Sequence, residues 1–280
     1  MIVTSIRILN KHRLSSDPTA YVDLALNSTA GENGYILKRH EGLDPSETIT
    51  FTEGFGPGGS PVNTSRPEKK EIVLHVGFVA GQAGTYSELR DRLYRMMSRS
   101  VRILLMSGET ILAEITGWIR SFDVELASNQ PDAQLTIKCD DGFFVSPTQI
   151  AVPTAGLSKS IPIINGIIGT APASFYMAVV MTSNAALFGV NNNAGVDGGD
   201  PWHFTVGYPF LTGDHVAIQT EFNNRSVIRT RSSVALDITS YLQPGSTWPS
   251  LYPGEENKFY LWVSAFNWDS ISYYPKYWGV

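Results

Sequence analysis

The sequence predicts a mainly β protein: a β-sheet domain carrying a single α-helix, followed by a β-sandwich or jelly roll. Three observations carry that prediction. Apolar residues recur with a period of two along most of the chain, as in Phe122, Val124 and Leu126 against Ser121, Asp123 and Glu125. Such alternation sets one face of a strand in a core and the other in water or a polar interface. One segment, TYSELRDRLYRMMSRS from Thr85, stands out with helical spacing. Between Val145 and Gly169 the texture changes to Pro, Gly, Ser and Thr with almost no charge, the composition of a linker.

Taken in order, strands are expected at Ile2 to Leu9, Tyr21 to Leu26, Tyr35 to Glu41, Glu71 to Phe78, Val101 to Met106 and Ile111 to Ile119. Ser107-Gly108 reads as the hairpin turn between the last two. Leu135, Ile137 and Cys139 then alternate with Gln134, Thr136 and Lys138. The helix begins with Thr85 as N-cap and Glu88 three residues on, a capping box. Tyr86, Leu89, Leu93, Met96 and Met97 share one face, and Arg90, Arg92, Arg95 and Arg99 cover the others. After the linker come short strands at Phe175 to Met181, Trp202 to Tyr208, His215 to Glu221, Ser226 to Arg231 and Phe259 to Ala265, with Asn223-Asn224 as a hairpin turn. No helix is expected after about residue 170. Many short strands between frequent turns indicate a sandwich or jelly roll. The expected domains are 1–150 and 151–280.

Composition excludes several function classes. An apolar fraction of 42% over 280 residues supplies a packed core. A net charge of -5 gives no basic footprint for sequence-independent nucleic-acid binding. A single cysteine, Cys139, rules out an internal disulfide framework and a cysteine metal cluster. The start, MIVTSIRILNKHR, lacks the features of a signal peptide. The best apolar run, FYMAVVM, is far shorter than the roughly 18–20 residues that span a bilayer. A soluble protein made in a cytoplasm, without membrane insertion, is expected, so the N-x-S/T triplets at Asn27, Asn63 and Asn224 carry no glycosylation meaning.

No stretch carries a strong chemical signature. GFGPGGS (Gly54 to Ser60) is glycine-rich but lacks the GK[ST] of a phosphate loop and is read as a flexible loop. GVDGGDPWHF sets Asp197 and Asp200 beside Trp202 and His203, but too few oxygen ligands recur for a calcium loop, and a turn entering a strand suffices. Asp140-Asp141 reads as a strand-ending turn. The histidines at 12, 40, 75, 203 and 215 have no metal-ligand spacing. Cys139 alternates as a core residue, and no G-x-S-x-G elbow is present. The helix arginines lack the interleaved aromatics of a nucleic-acid patch and read as a solvated or subunit-facing surface. No catalytic residue, metal or cofactor is expected, and the chain is read as no enzyme.

One stretch asks a sharper question. STWPSLYPGEENKF, from Ser246 to Phe259, crowds aromatics, Pro-Gly and carboxylates ahead of a β-forming run. It could be a sugar or metal site, or it could be a sharp turn re-entering a sheet. Trp202, Tyr208, Trp248 and Tyr252 could stack on sugar rings, which makes a carbohydrate-binding sandwich recognising host cell-surface glycans the alternative reading of this chain. Aromatics beside Pro-Gly turns more often plug sandwich ends.

The order of features resembles the distal tail proteins of siphophages, the long-tailed, non-contractile bacteriophages. Glu41-Gly42-Leu43 leading to the Gly-rich loop, Arg66 and EIVLHVGF is similar to the family's first domain, as are SELRDRLYRMM, VRILLM, ITGWIRSFDVEL and QLTIKCDDGFF. Trp248, Leu251, Pro253, Gly254 and Asn257 resemble the lead-in to a late strand of its second domain, with Glu255-Glu256 lengthening the turn by one residue. ISYYPKYWGV resembles the final strand. The resemblance implies a barrel-like belt domain and a galectin-like sandwich. It implies a homohexameric ring at the tail tip, able to pair with a second ring, that joins the major tail tube protein to the tail-tip hub protein. It also implies attachment of receptor-binding proteins, passage of DNA through the lumen, and assembly in the host cytoplasm. Under it, the helix with Glu88, Arg92, Arg95 and Arg99 faces a neighbouring protomer.

Overall fold

A computed structural model describes the chain except for residues 1, 11–20, 27–33, 45–48, 56–60, 68, 82, 97–99, 126–131, 156, 158–162, 193–202, 222–223, 255, 262–265 and 280. For 49–55, 61–67, 96, 191–192, 258 and 260–261 it describes the backbone alone. The fold is mainly β with one α-helix among the described residues. The chain divides into two compact units. The first is Met1–Thr50, Arg66–Pro147 and Tyr277–Val280, and the second is Phe51–Ser65 with Thr148–Lys276. The sequence places one boundary near 150; the chain also crosses at 50–51, 65–66 and 276–277.

The N-terminal half contains β1 (Ser5–Asn10), β2 (Tyr21–Ala25), β3 (Tyr35–Glu41), β4 (Ile49–Phe55), β5 (Pro61–Pro67), β6 (Glu71–Phe78), α1 (Tyr86–Met96), β7 (Ser100–Ser107), β8 (Thr110–Val124), β9 (Asp132–Cys139) and β10 (Phe144–Val145). Where the sequence predicts a sheet or barrel-like domain, the first unit holds a closed seven-stranded barrel. Its order is β8-β7-β1-β2-β3-β6-β9, and β9 pairs back onto β8. Closure removes the free edges that an open sheet would present. β8 makes closure possible. Its 15 residues pair with β7 along Thr110 to Trp118 and with β9 along Gly117 to Val124. A bulge between Ile119 and Ser121 inserts a residue and bends the strand. The buried phase therefore changes, from Ala113 and Ile115 before the bulge to Phe122 and Val124 packed on the core after it. The sequence shows two alternating runs here; they are one bent strand.

The barrel interior is filled by Ile8, Leu24, Ile72, Leu74, Val76, Ile103, Leu135 and Ile137. Leu89 and Leu93 of α1 complete it. The capping box forms as the sequence spells it: the Glu88 N–H donates to Thr85 Oγ1 at 3.4 Å, and Glu88 Oε2 accepts the Thr85 N–H at 2.8 Å. Tyr35 fixes the helix from below, its hydroxyl donating to the Leu89 carbonyl at 2.7 Å. Beside it Gly34 has φ of +78°, and a Cβ there would lie 2.8 Å from Leu89. GFGPGGS begins inside β4, so Gly54 and Phe55 are strand where the sequence suggests loop. The alternation of Ile49, Phe51 and Phe55 accounts for this, and 56–60 lie outside the described residues.

The second unit contains β11 (Ile150–Val152), β12 (Ile163–Ile164), β13 (Phe175–Met181), β14 (Phe188–Asn192), β15 (His203–Val206), β16 (His215–Gln219), β17 (Ser226–Arg231), β18 (Val234–Asp237), a 3-10 turn (Thr239–Tyr241), β19 (Asn257–Leu261) and β20 (Phe266–Tyr273). They form a six-stranded sheet, β11-β20-β13-β16-β17-β18, and a four-stranded one, β12-β19-β14-β15. The sheets share one core: Phe175, Met177, Val179, Val216, Ile218 and Val227 meet Phe188, Val190, Phe204, Val206 and Phe259. Phe175 stacks on Phe259 with ring centroids 5.8 Å apart.

Candidate functional site

The STWPSLYPGEENKF stretch is a turn built around a buried amide. Leu251 is fully buried and exchanges two backbone hydrogen bonds of 2.8 Å with Ala173. Pro253 then fixes its own φ, and Gly254 takes φ of +76°, the pairing of a type II turn. Asn257, with no exposed surface, closes the corner. Its Oδ1 accepts the Tyr252 N–H at 2.8 Å, and its Nδ2 donates to the Tyr252 carbonyl at 3.0 Å and the Ile164 carbonyl at 3.3 Å. Trp248 packs on Phe204 at 5.1 Å, with the Arg225 guanidinium 5.6 Å from its ring centre. Glu256 is exposed, and 255 lies outside the described residues.

Of the aromatics considered for sugar stacking, Trp202 lies outside the described residues. Tyr208 follows β15 and meets Phe210 at 5.4 Å and Tyr241 at 5.0 Å, both edge-on. Its hydroxyl accepts from Arg229 Nη2 at 3.0 Å. Tyr252 is half-buried, with its backbone held by Asn257. Tyr208 and Tyr252 both pack against the core of the second unit.

On the helix, Glu88 is exposed and occupied in the cap, and its hydrogen bonds to Thr85 hold its carboxyl below the usual range. Arg92 is half-buried and Arg95 exposed, while 99 lies outside the described residues. Tyr94, 48% exposed, rests edge-on against Phe122 at 4.7 Å. The helix thus presents a mixed basic and aromatic outer surface over an apolar inner one.

The buried titratable groups Cys139, Lys70 and Asp214 are occupied in packing or internal bonds. Burial pushes the Cys139 thiol up to about 12, which removes the thiolate that nucleophilic or redox chemistry needs. Burial also lowers Lys70, which lies across the Phe144 ring and donates to the carbonyls of Asp44, at 2.9 Å, and Trp278. Asp214 has no exposed surface. Its carboxylate accepts from Arg231 Nε at 2.6 Å and Nη2 at 2.7 Å and from the Leu211 N–H at 2.8 Å, which holds it ionised below the usual range. Nothing local in the sequence announces the Asp214–Arg231 pair, because 17 residues separate its members. Among the described residues no group of three or more His, Cys, Asp or Glu is placed to hold a metal ion. Asp197 and Asp200 lie outside them.

No family model matches the sequence, and no curated protein matches it. Solved structures do. The crystal structure of the Dit protein (gp 19.1) of phage SPP1, a paradigm of the hub adsorption apparatus in phages infecting Gram-positive hosts, is similar at a TM-score of 0.54 and 15% identity. The likeness covers 86% of this chain and 93% of that one. This is the fold of a distal tail protein. Phage P2 baseplate structures in the activated conformation, with Ca and with Sr, are similar at a TM-score of 0.41 and 11% identity, over 99–100% of each chain. Neither unit alone is long enough to supply a coverage of 86%, so the Dit likeness runs through both. The mainly β fold with one helix is the one that the sequence predicts. At this identity it extends to the fold and not to individual side chains.

Proposed function

We propose that the chain is a structural component of a siphophage tail tip, a distal tail protein of which six copies close into a ring. The ring joins the major tail tube protein to the tail-tip hub, and the second units, galectin-like in this reading, anchor receptor-binding proteins. The observation that carries the proposal is the likeness to SPP1 Dit across both units, barrel with one helix first and two-sheet unit second. The outer surface of α1, with Arg92, Arg95 and Tyr94, suits a protomer contact, since Arg and Tyr are enriched at interfaces. A net charge of -5 suits a passage that DNA crosses without adhering. Among the described residues no helix is long and apolar enough to cross a membrane. The protein would assemble in the host cytoplasm and end in the virion.

The reading assigns no catalytic step, consistent with the internal use of Cys139, Lys70 and Asp214. A sugar-binding reading needs open aromatic faces, whereas Tyr208 is packed by Phe210 and Tyr241 and bonded to Arg229. The deciding experiment is electron microscopy of virions labelled on this chain, with the purified protein beside it. Six copies of 30.7 kDa give roughly 184 kDa for a closed ring. Label away from the tail tip, or a tip symmetry incompatible with six copies, would overturn the proposal.

A further inference from the structure

The sheet edges of the second unit are guarded unequally. In the sequence Pro153 follows β11 and Pro162 precedes β12, each blocking extension of a short edge strand. The outer side of β15 is bonded by the segment after the 3-10 turn, with Gln243 N–H on the Thr205 carbonyl at 2.8 Å and Thr247 N–H on the His203 carbonyl at 2.7 Å. Among the described residues the six-stranded sheet ends at β18. This strand, VALD, carries no Pro or Lys and is exposed at every position, Val234 by 65% and Leu236 by 43%. Natural edges of this kind are usually blunted, because unpaired backbone groups recruit another strand.

The geometry of the edge follows from its hairpin. Ser232 and Ser233 both have positive φ, 47° and 64°, as a two-residue type I′ turn requires. Such a turn is closed by a hydrogen-bonded pair, here Arg231 and Val234, and such pairs alternate along the ladder. The phase is fixed further on by the Ile238 N–H donating to the Val227 carbonyl at 2.8 Å. Val234 and Leu236 therefore bond inward to β17, and the N–H and C=O groups of Ala235 and Asp237 point outward. Leu236 lies opposite Arg229, so Val234 and Leu236 share the face on which Arg229 and Ile238 are buried.

We propose that β18 is the docking edge for β18 of a second copy of this chain. The edge is self-complementary. Outward backbone groups must meet outward groups and like faces must stay together; of the registers that satisfy both, the one that pairs Ala235 with Asp237 of the second copy, and the reverse, engages both outward residues of each strand. Leu236 then faces its own copy at the non-hydrogen-bonded position, with Cα atoms about 4.5 Å apart. Val234 lies across from Ile238. The Asp237 carboxylate lies on the opposite face, already bonded to the Thr239 N–H at 2.9 Å and hydroxyl at 2.6 Å, and it faces Ala235, not another acid. The contact is isologous. Neighbours in a cyclic ring meet head to tail, so β18 joins two rings or two free chains, and the inference stands without the ring. The contact buries well under the roughly 1,000 Å² of a stable interface, so it is weak in dilute solution and gains strength where copies are held together.

The test is disulfide trapping in the full chain carrying Leu236→Cys, under mild oxidation. Cys139 stays silent, because it is buried with its thiol protonated. Ser233→Cys is the control, since the proposed register sets it about 20 Å from its own copy. Leu236→Cys should yield disulfide-linked dimer on the order of tenfold above the control, and Leu236→Lys should abolish association. In the unaltered chain, Ala235 and Asp237 amides should exchange more slowly as protein concentration rises. Equal trapping at both positions, or amide exchange indifferent to concentration, overturns the proposal whether or not rings are seen.

Discussion

Asn257 shows how much one buried amide can carry. Three hydrogen bonds from its side chain hold the Pro253-Gly254 corner, the backbone of Tyr252 and the Ile164 carbonyl of edge strand β12. Asn257→Ala removes the bond from the Tyr252 N–H and those to the Tyr252 and Ile164 carbonyls, which should cost about 2–4 kcal/mol. Urea unfolding of the full chain, followed through Trp fluorescence and hydrogen exchange in β12 and β19, measures this. A loss below about 0.5 kcal/mol, the size of an ordinary surface change, would mean that the corner stands without its amide. Half of this arrangement is legible in the sequence. Pro-Gly announces a turn, and Asn a few residues on can cap it. The contact with Ile164, 93 residues away, has no local signal. Asp214–Arg231 and the Lys70 contacts with Asp44 and Trp278 are hidden for the same reason: each partner is ordinary in its own neighbourhood.

At the scale of elements, α1 was the plainest feature of the sequence, because cap, periodic apolar face and end all point one way. Thr85→Ala removes the Oγ1 acceptor of the Glu88 N–H and should cost about 1 kcal/mol. Thr85→Ser keeps the acceptor and should recover most of the loss. Thermal unfolding of the three chains reads the difference, and an alanine variant as stable as the parent would make the box incidental. Strands were legible where alternation is clean: β3, β6, β13 and β17 fall where the periodicity places them. β14 and β18 escaped because FGVNN and VALD are too short to establish a period. β20 escaped for another reason. Half of FNWDSISY is polar, and in its pairing with β13 Ala178 meets Ser270 while Val179 meets Trp268, so Asp269 is an extra residue and no single phase runs through the strand. In β8 the bulge splits one strand into two apparent ones.

For the whole molecule, the path of the chain matters more than the boundary near residue 150. The first unit includes both ends of the chain, and Tyr277–Val280 is part of it. Within that unit the Trp278 carbonyl accepts from Lys70, and the Trp278 ring lies 4.7 Å from that of Phe143. Lys70 is 5% exposed and loses solvation on folding, so each carbonyl it reaches offsets part of that cost. A chain ending at Lys276 would leave the ammonium with the Asp44 carbonyl and the Phe144 ring face. The expected loss is on the order of 2–3 kcal/mol, confined to the first unit. In calorimetry of the full and shortened chains, the first-unit transition should fall by roughly 5–10 °C while the second stays in place. Lys70→Met in the shortened chain supplies the internal check, because an apolar side chain of similar length has no acceptor to lose and should restore part of the midpoint. A truncation that leaves both transitions unmoved, or lowers the second alone, would mean that the last residues are not a working part of the barrel unit.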